Sequence, residues 1–281
     1  MQSFDKFRVP SRCMKQLKTG QFYGVTNETI HLAGVTLTDT AYTHDKVDWH
    51  YHENAYFTFL LEGAVLEGNK KEVYHCSPGS LLFHNWQEAH YNIKPKGFTR
   101  GFQVELKPSW FNAFDMNTDT IQGSVQLSNP RLKMTMYNIF KETKLSTANS
   151  LAIDTLLLSL FSQMKGEGKL YSGKKPRWIH QLRHILQDAP FEDWSLPALA
   201  AILNIHPVHL SREFSRHFHC TLGDYIRTVK VQQALSLLTD KQRSLTDIAL
   251  ACGFADQSHF IRSFKDQHTI TPLQFRKLLL K

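Results

Sequence analysis

Over the last hundred residues apolar positions recur every three or four places, the period of helices that bury one face. Leu210, Phe214 and Phe218 stand four apart, and so do Phe260 and Phe264. The positions between them are polar or basic: His209, Ser211, Arg212 and Arg216, then Ser258, His259, Arg262 and Lys265. The pattern is written twice. SLPALAAILNIHPVHLSREFSRHFHCTLGDYIR from Ser195 matches SLTDIALACGFADQSHFIRSFKDQHTITPLQFR from Ser244, with one residue inserted in the second turn. Repetition at a period of about fifty residues marks a duplicated supersecondary unit.

Each copy predicts a helix, a tight turn and a second helix, over 196–217 and 245–268. The small inner residues Ala200 and Ala249 let the second helix cross close to the first. Asn204 and Gly253 stand at the turns, where a left-handed backbone is needed. Ser244-x-x-Asp247, Thr221-x-x-Asp224 and Thr271-x-x-Gln274 predict capped helix starts, and Pro272 suits a first helical position. Between the copies, Leu222 to Leu238 predicts a connecting helix of about 26 Å. Such a rod would set the two outward helices about 34 Å apart, one turn of B-DNA.

The first half changes period. TIHLAGVTLT, AYFTFLLEGAV, KKEVYHC, GSLLFHN and FTRGFQVEL alternate as short strands, with turns expected at Glu67-Gly68-Asn69 and Ser77-Pro78-Gly79. Evenly spaced short strands predict a small barrel or sandwich. Residues 130–164 return to helical spacing. There Ile153, Leu156, Leu157, Leu160 and Phe161 form a stripe that would pack on the barrel or on a second subunit. The Gly- and Lys-rich stretch 167–176 reads as a linker. The expected organisation is multidomain α+β: a barrel with flanking helices over 1–128, a helical dimerisation or packing segment over 129–166, the linker over 167–176, and an all-α domain over 177–281.

Composition sharpens this picture. The 281 residues carry a net charge of +8. From Lys174 onward, 15 Lys and Arg face nine Asp and Glu, so +6 of the excess lies with the duplicated helices. A polyanionic partner, double-stranded DNA, would favour that asymmetry. Cys13, Cys76, Cys220 and Cys252 are scattered without paired spacing, as in a reducing compartment. No apolar run approaches the roughly 18 residues of a membrane span, and the N-terminal stretch lacks the apolar core of a signal peptide. A cytoplasmic protein with no membrane partner is expected.

The second copy, IALACGFADQSHFIRSFKDQHTITPLQFR, and the LSREFSRHF of the first resemble the DNA-binding domain of AraC/XylS-family bacterial transcription regulators. The order WHYHENAYFTFLLEG, SPG, HNWQEAH likewise resembles a cupin barrel, which members of that family often pair with the duplicated reader. The resemblance implies a sequence-specific regulator, an activator gated by a small-molecule effector, a homodimer that works with RNA polymerase, and no enzyme. By position, Val208, Ser211 and Arg212, then Ser258, His259 and Arg262, should meet base edges. His206, Arg216, Gln257 and Lys265 should hold phosphates.

Cupin enzymes hold a metal with an H-x-H pair, a Glu and a later His. Here His50, His52 and His90 supply the imidazoles. Glu53, directly after the pair, would point away from His52 on a strand, and Tyr56 or Phe57 stands nearer the usual Glu position. Regulators of this kind commonly keep the histidines without a metal, so neither metal nor cofactor is expected. An effector pocket is expected around His50, His52, Phe57, Trp86 and His90, among the aromatics Trp49, Tyr51, Phe83 and Tyr91. Two other readings stay open. One is a cupin-type metalloenzyme with an accessory DNA-binding tail, the other an architectural nucleic-acid binder without effector.

Overall fold

β-Branched and aromatic residues in alternation build the first half as strands, and glycines decide where those strands break. The computed structural model describes residues 14–116, 123–145, 149–169, 177–188, 194–218 and 220–280. Its strands are β1 (Lys15–Leu17), β2 (Val25–Leu32), β3 (Val35–Ala41), β4 (Lys46–His52), β5 (Ala55–Glu62) and β6 (Val65–Asn69). β7 (Val73–Cys76), β8 (Leu81–His84), β9 (His90–Ile93), β10 (Arg100–Leu106) and β11 (Ser124–Leu127) follow. They form two sheets, in the orders β1-β4-β9-β6-β7 and β11-β8-β5-β10-β3-β2. Among the described strands β1 runs parallel to β4, and the other pairings are antiparallel.

Two of the predicted single strands are hairpins. Gly34 (φ 77°) and Gly63 (φ 79°) occupy the left-handed region and turn the chain back, separating β2 from β3 and β5 from β6. Conversely, the turn expected at Glu67-Gly68-Asn69 lies inside β6. Gly68 is there for space: a Cβ would come within 2.2 Å of the Tyr91 ring on the neighbouring β9.

The helices are α1 (Pro108–Ala113), α2 (Pro130–Lys144), α3 (Ser150–Lys169), α4 (Arg177–Asp188) and α5 (Leu196–Leu203). After them come α6 (Pro207–Phe218), α7 (Leu222–Leu237), α8 (Leu245–Ala251), α9 (Gln257–His268) and α10 (Pro272–Leu279). The chain divides into two compact units, Met1–Asn129 with Ile139–Leu158, and Pro130–Asn138 with Ser159–Lys281. The segment 129–166, expected as a body of its own, is thus shared between them. In the first unit Phe140 meets Phe102 edge-on at 5.3 Å, and the Trp110 indole donates to Asp154 at 2.8 Å. In the second, Asn138 is 3.0 Å from the buried His268, and Tyr137 meets Phe275 at 5.9 Å. Of the apolar stripe, Ile153, Leu157, Leu160 and Phe161 are buried within the chain and Leu156 is half-buried. Helix α3 takes in 167–169 of the expected linker, and 170–176 lie outside the described residues.

One buried acid makes the first unit's stability depend on pH. Glu105 on β10 is fully buried, and burial pushes its carboxyl up to about 7, although the Gly20 amide donates to it. A carboxyl with a raised folded-state pKa contributes stability that is complete below its unfolded value near 4.5 and lost as pH rises toward 7. Glu105→Gln, which keeps the acceptor and removes the charge, should stabilise the unit by up to about 3 kcal/mol at pH 8. At pH 4 the gain should vanish. A gain independent of pH in thermal melts across that range would show that ionisation of Glu105 is not the cause.

Candidate nucleic-acid interface and barrel cavity

The second unit builds two helix pairs on separate cores. In the first, Leu199, Ala200 and Leu203 of α5 and Leu210, Phe214 and Phe218 of α6 are buried against Ile179, Leu182 and Leu186 of α4. In the second, Ile248 and Ala249 of α8 and Phe260 and Phe264 of α9 are buried, with Phe275 of α10 at 5.6 Å from Phe264. Asn204 (φ 53°) and Gly253 (φ 72°) take the left-handed conformation at the two turns. Ser244–Asp247 and Thr271–Gln274 close reciprocal capping boxes. At Thr221 the side chain accepts from the Asp224 amide, and its hydroxyl donates to the Asp224 carboxylate at 2.7 Å.

Other supports had no sequence signal. Asp256, not one of the expected caps, is the N-cap of α9, its carboxylate accepting from the His259 amide at 2.6 Å. Lys230 on α7 donates to the Gly253 carbonyl at 2.6 Å and so ties the connecting helix to the second turn. That connecting helix has 16 residues, about 24 Å of axial rise.

The expected base-reading positions lie on the faces that the cores leave open. Val208 is 70% exposed, and Ser211, Arg212, Ser258 and Arg262 are exposed; His259 is half-buried, its ring 5.4 Å from Phe254. Of the expected phosphate positions, His206, Arg216 and Lys265 are exposed. Gln257 is half-buried and accepts from the Thr246 hydroxyl at 2.6 Å. Arg212 and Arg216 each sit 3.7 Å from Glu213. Pairs this long and exposed hold the side chains only weakly, so a phosphate or a guanine edge competes easily.

The first unit encloses a cavity of about 50 Å³ between its sheets. His50 and His52 from β4, Tyr56 from β5, Glu67 from β6 and His90 from β9 line it, with Phe22, Tyr23 and Tyr42. Side chains alternate along strands, so the neighbours of these residues face elsewhere. Phe57, expected in the pocket, instead packs on Phe83 at 4.8 Å. Trp86 packs on Phe111 at 5.1 Å, and Trp49 on Tyr91 at 5.1 Å. None of these lines the cavity.

The carboxylate of the cavity comes from an unexpected strand. Glu53 turns away and accepts from the Thr19 amide and hydroxyl at 2.7 and 2.6 Å. Glu67 is buried on β6, 3.0 Å from His84 Nε2, and Asn92 donates to it at 3.3 Å. Burial raises its pKa, but His84, and behind it His90 and His50, outweigh this and hold it down at about 2. Burial acts oppositely on the imidazoles. It lowers His90 to about 3, lowers His52 well below its usual range and lowers His50 as well. Near neutral pH the three rings are therefore uncharged, and the lone pairs they present are free of protons.

Residues 199–278 match the family model described as a helix-turn-helix domain. An uncharacterized HTH-type transcriptional regulator of Haemophilus influenzae is 30% identical over 130 residues, 46% of this chain and 43% of that protein. The match thus spans less than half of that relative. YpdC of Escherichia coli, an uncharacterized HTH-type transcriptional regulator, is 29% identical over 224 residues, 76% of this chain and 77% of its own. Among solved structures, an apo ToxT variant from Vibrio cholerae aligns over 86% of this chain and 97% of its own, at 12% identity and a TM-score of 0.38. With its exposed basic helix faces and these relatives, the chain belongs with the AraC-type HTH transcriptional regulators, residues 199–278 forming the helix-turn-helix domain.

Proposed function

We propose that this chain regulates transcription by reading two successive major grooves of one DNA duplex with α6 and α9. The observation that carries the reading is the duplication. Two buried stripes of Phe and Leu aim two basic faces outward, and the connecting helix α7 spans about 24 Å by its residue count. Arg212 and Arg262 are suited to bidentate contact with guanine, and the exposed Val208 to a thymine methyl. Ser211, Ser258 and His259 complete the base-reading set, while His206, Arg216, Gln257 and Lys265 hold phosphates. In this reading the chain activates promoters together with RNA polymerase as a homodimer, the first unit takes the effector in its cavity, and no catalysis is involved.

The reading is tested by selecting genomic fragments on the purified chain and footprinting the enriched sites. Two protected patches about one helical turn apart are expected. A single patch, or enrichment without any shared sequence, would defeat it. On an operator so found, Arg262→Ala should lose about 1–3 kcal/mol, concentrated at one base position. Lys265→Ala should instead weaken all sequences alike and flatten the salt dependence. Undiminished operator binding by Arg262→Ala would remove that residue from the reading set.

A further inference from the structure

The cavity of the first unit holds a cluster that DNA reading leaves unused. One ring nitrogen from each of His50, His52 and His90 lies within 4.8 Å of the others, and each residue is 2% exposed. Two of the rings are held by backbone carbonyls: His50 Nδ1 is 2.9 Å from the Asp48 oxygen, and His90 Nδ1 is 3.1 Å from the Glu88 oxygen. A carbonyl only accepts, so these Nδ1 atoms carry the protons and the Nε2 atoms keep their lone pairs. That is the arrangement in which a histidine serves as a metal ligand with its other nitrogen fixed. His52 Nδ1 is buried without any hydrogen-bond partner in the structure. An orphaned polar atom of this kind in a native interior calls for an occupant.

We infer that His50, His52 and His90 form a binding site for one divalent transition-metal ion of the zinc class. Three neutral imidazoles suit zinc, cobalt, nickel or copper and suit the hard ions magnesium and calcium poorly. Three protein ligands leave a fourth position open for water or an anion. The size of the cavity, about 50 Å³, fits an ion with one or two waters and is too small for a sugar ring. The buried carboxylate of Glu67, at the rim of the cluster, offsets part of the ion's charge. Tyr56 occupies the place where a fourth protein ligand would be sought. Its hydroxyl lies 3.0 Å from His90 Nε2 and donates to that lone pair, so it yields when the ion arrives. This inference stands apart from the DNA reading, since neither needs the other.

The test uses the whole chain without an affinity tag, stripped with a chelator, loaded with zinc chloride and desalted. About one zinc per chain should remain, and cobalt in its place should give the visible bands of a nitrogen-ligated tetrahedral ion. His90→Ala should weaken zinc binding by about 100-fold. Tyr56→Phe, which removes no imidazole, should keep the full complement. His206→Ala with His209→Ala, both exposed on the second unit, should keep it too. Each variant's far-ultraviolet circular dichroism is compared with that of the parent, so that unfolding is not mistaken for loss of a ligand. Where His90→Ala fails to fold, the milder His52→Gln takes its place. No retained zinc in the folded parent overturns the inference. So does equal retention after loss of an imidazole, or loss of zinc in Tyr56→Phe.

Discussion

Phe264→Ala should unfold the second helix pair at much lower denaturant, with a loss of about 3–5 kcal/mol. Phe264 has no exposed surface and sits among aromatic rings: Phe260 at 5.8 Å, Phe275 at 5.6 Å and His268 at 4.6 Å. Alanine would leave a cavity bounded by α9 and α10 that these stiff rings refill poorly, so the packing term adds to the transfer term. A loss of this size is a large part of the stability of an ordinary domain. It should also abolish operator binding, because the same stripe that buries Phe264 aims Ser258 and Arg262 outward. Urea unfolding followed by helical circular dichroism measures it. A loss below about 1 kcal/mol would mean that the core collapses around the gap or is not packed as described.

The second large effect lies in the first unit, at a buried ionic cluster. Asp39 on β3 is 2% exposed and binds Arg100 with both oxygens, at 2.8 and 2.6 Å, while Lys144 lies 3.1 Å away. Burial pushes the Asp39 pKa up, but Arg100 above all, with Asn27 and Lys144, outweighs it and holds the carboxylate below its usual range. Asp39→Ala leaves two buried cations short of their partner and should cost about 3 kcal/mol. That is the low end for breaking a buried pair, because Glu28 still faces Lys144. The pH dependence has a definite sign. A carboxylate with a depressed pKa contributes stability that is present above its unfolded value near 4 and lost as pH falls through the folded one. The deficit of Asp39→Ala should therefore be steady near neutral pH and shrink below about pH 4. A deficit that persists unchanged at pH 2 would assign the loss to packing instead.

How much of this was legible in the chain depends on the range of the interaction that decides each feature. The helix pairs were legible because their signals are local: the four-residue spacing of Phe260 and Phe264, the αL positions at Asn204 and Gly253, and the boxes at Ser244 and Thr271. In the first half, alternation found strands but missed where they fold back. The turns at Gly34 and Gly63 look like any glycine inside an apolar run. Gly68 reads as a turn, yet it is a strand residue kept small by Tyr91 from a strand more than twenty residues on. In the cavity, the sequence offered His50, His52 and His90, because a known motif orders them. It missed Glu67, which reaches the cluster only through the β6–β9 pairing, and it placed Phe57 on the wrong face of β5.

The sequence by itself determined the duplicated reader, the basic bias around it and the three histidines. Each is set by periodicity, a capping residue or a motif within a few tens of residues, and such signals survive without the fold. Tertiary structure alone decided that Glu67 faces His84, that Asn138 and Tyr137 join the second unit while Phe140 joins the first, and that Asp39 meets Arg100 and Lys144. Those contacts join positions far apart along the chain. Which of many polar side chains meet is fixed only when the sheets and helices close, because the cost of burying an unpaired charge selects one pairing.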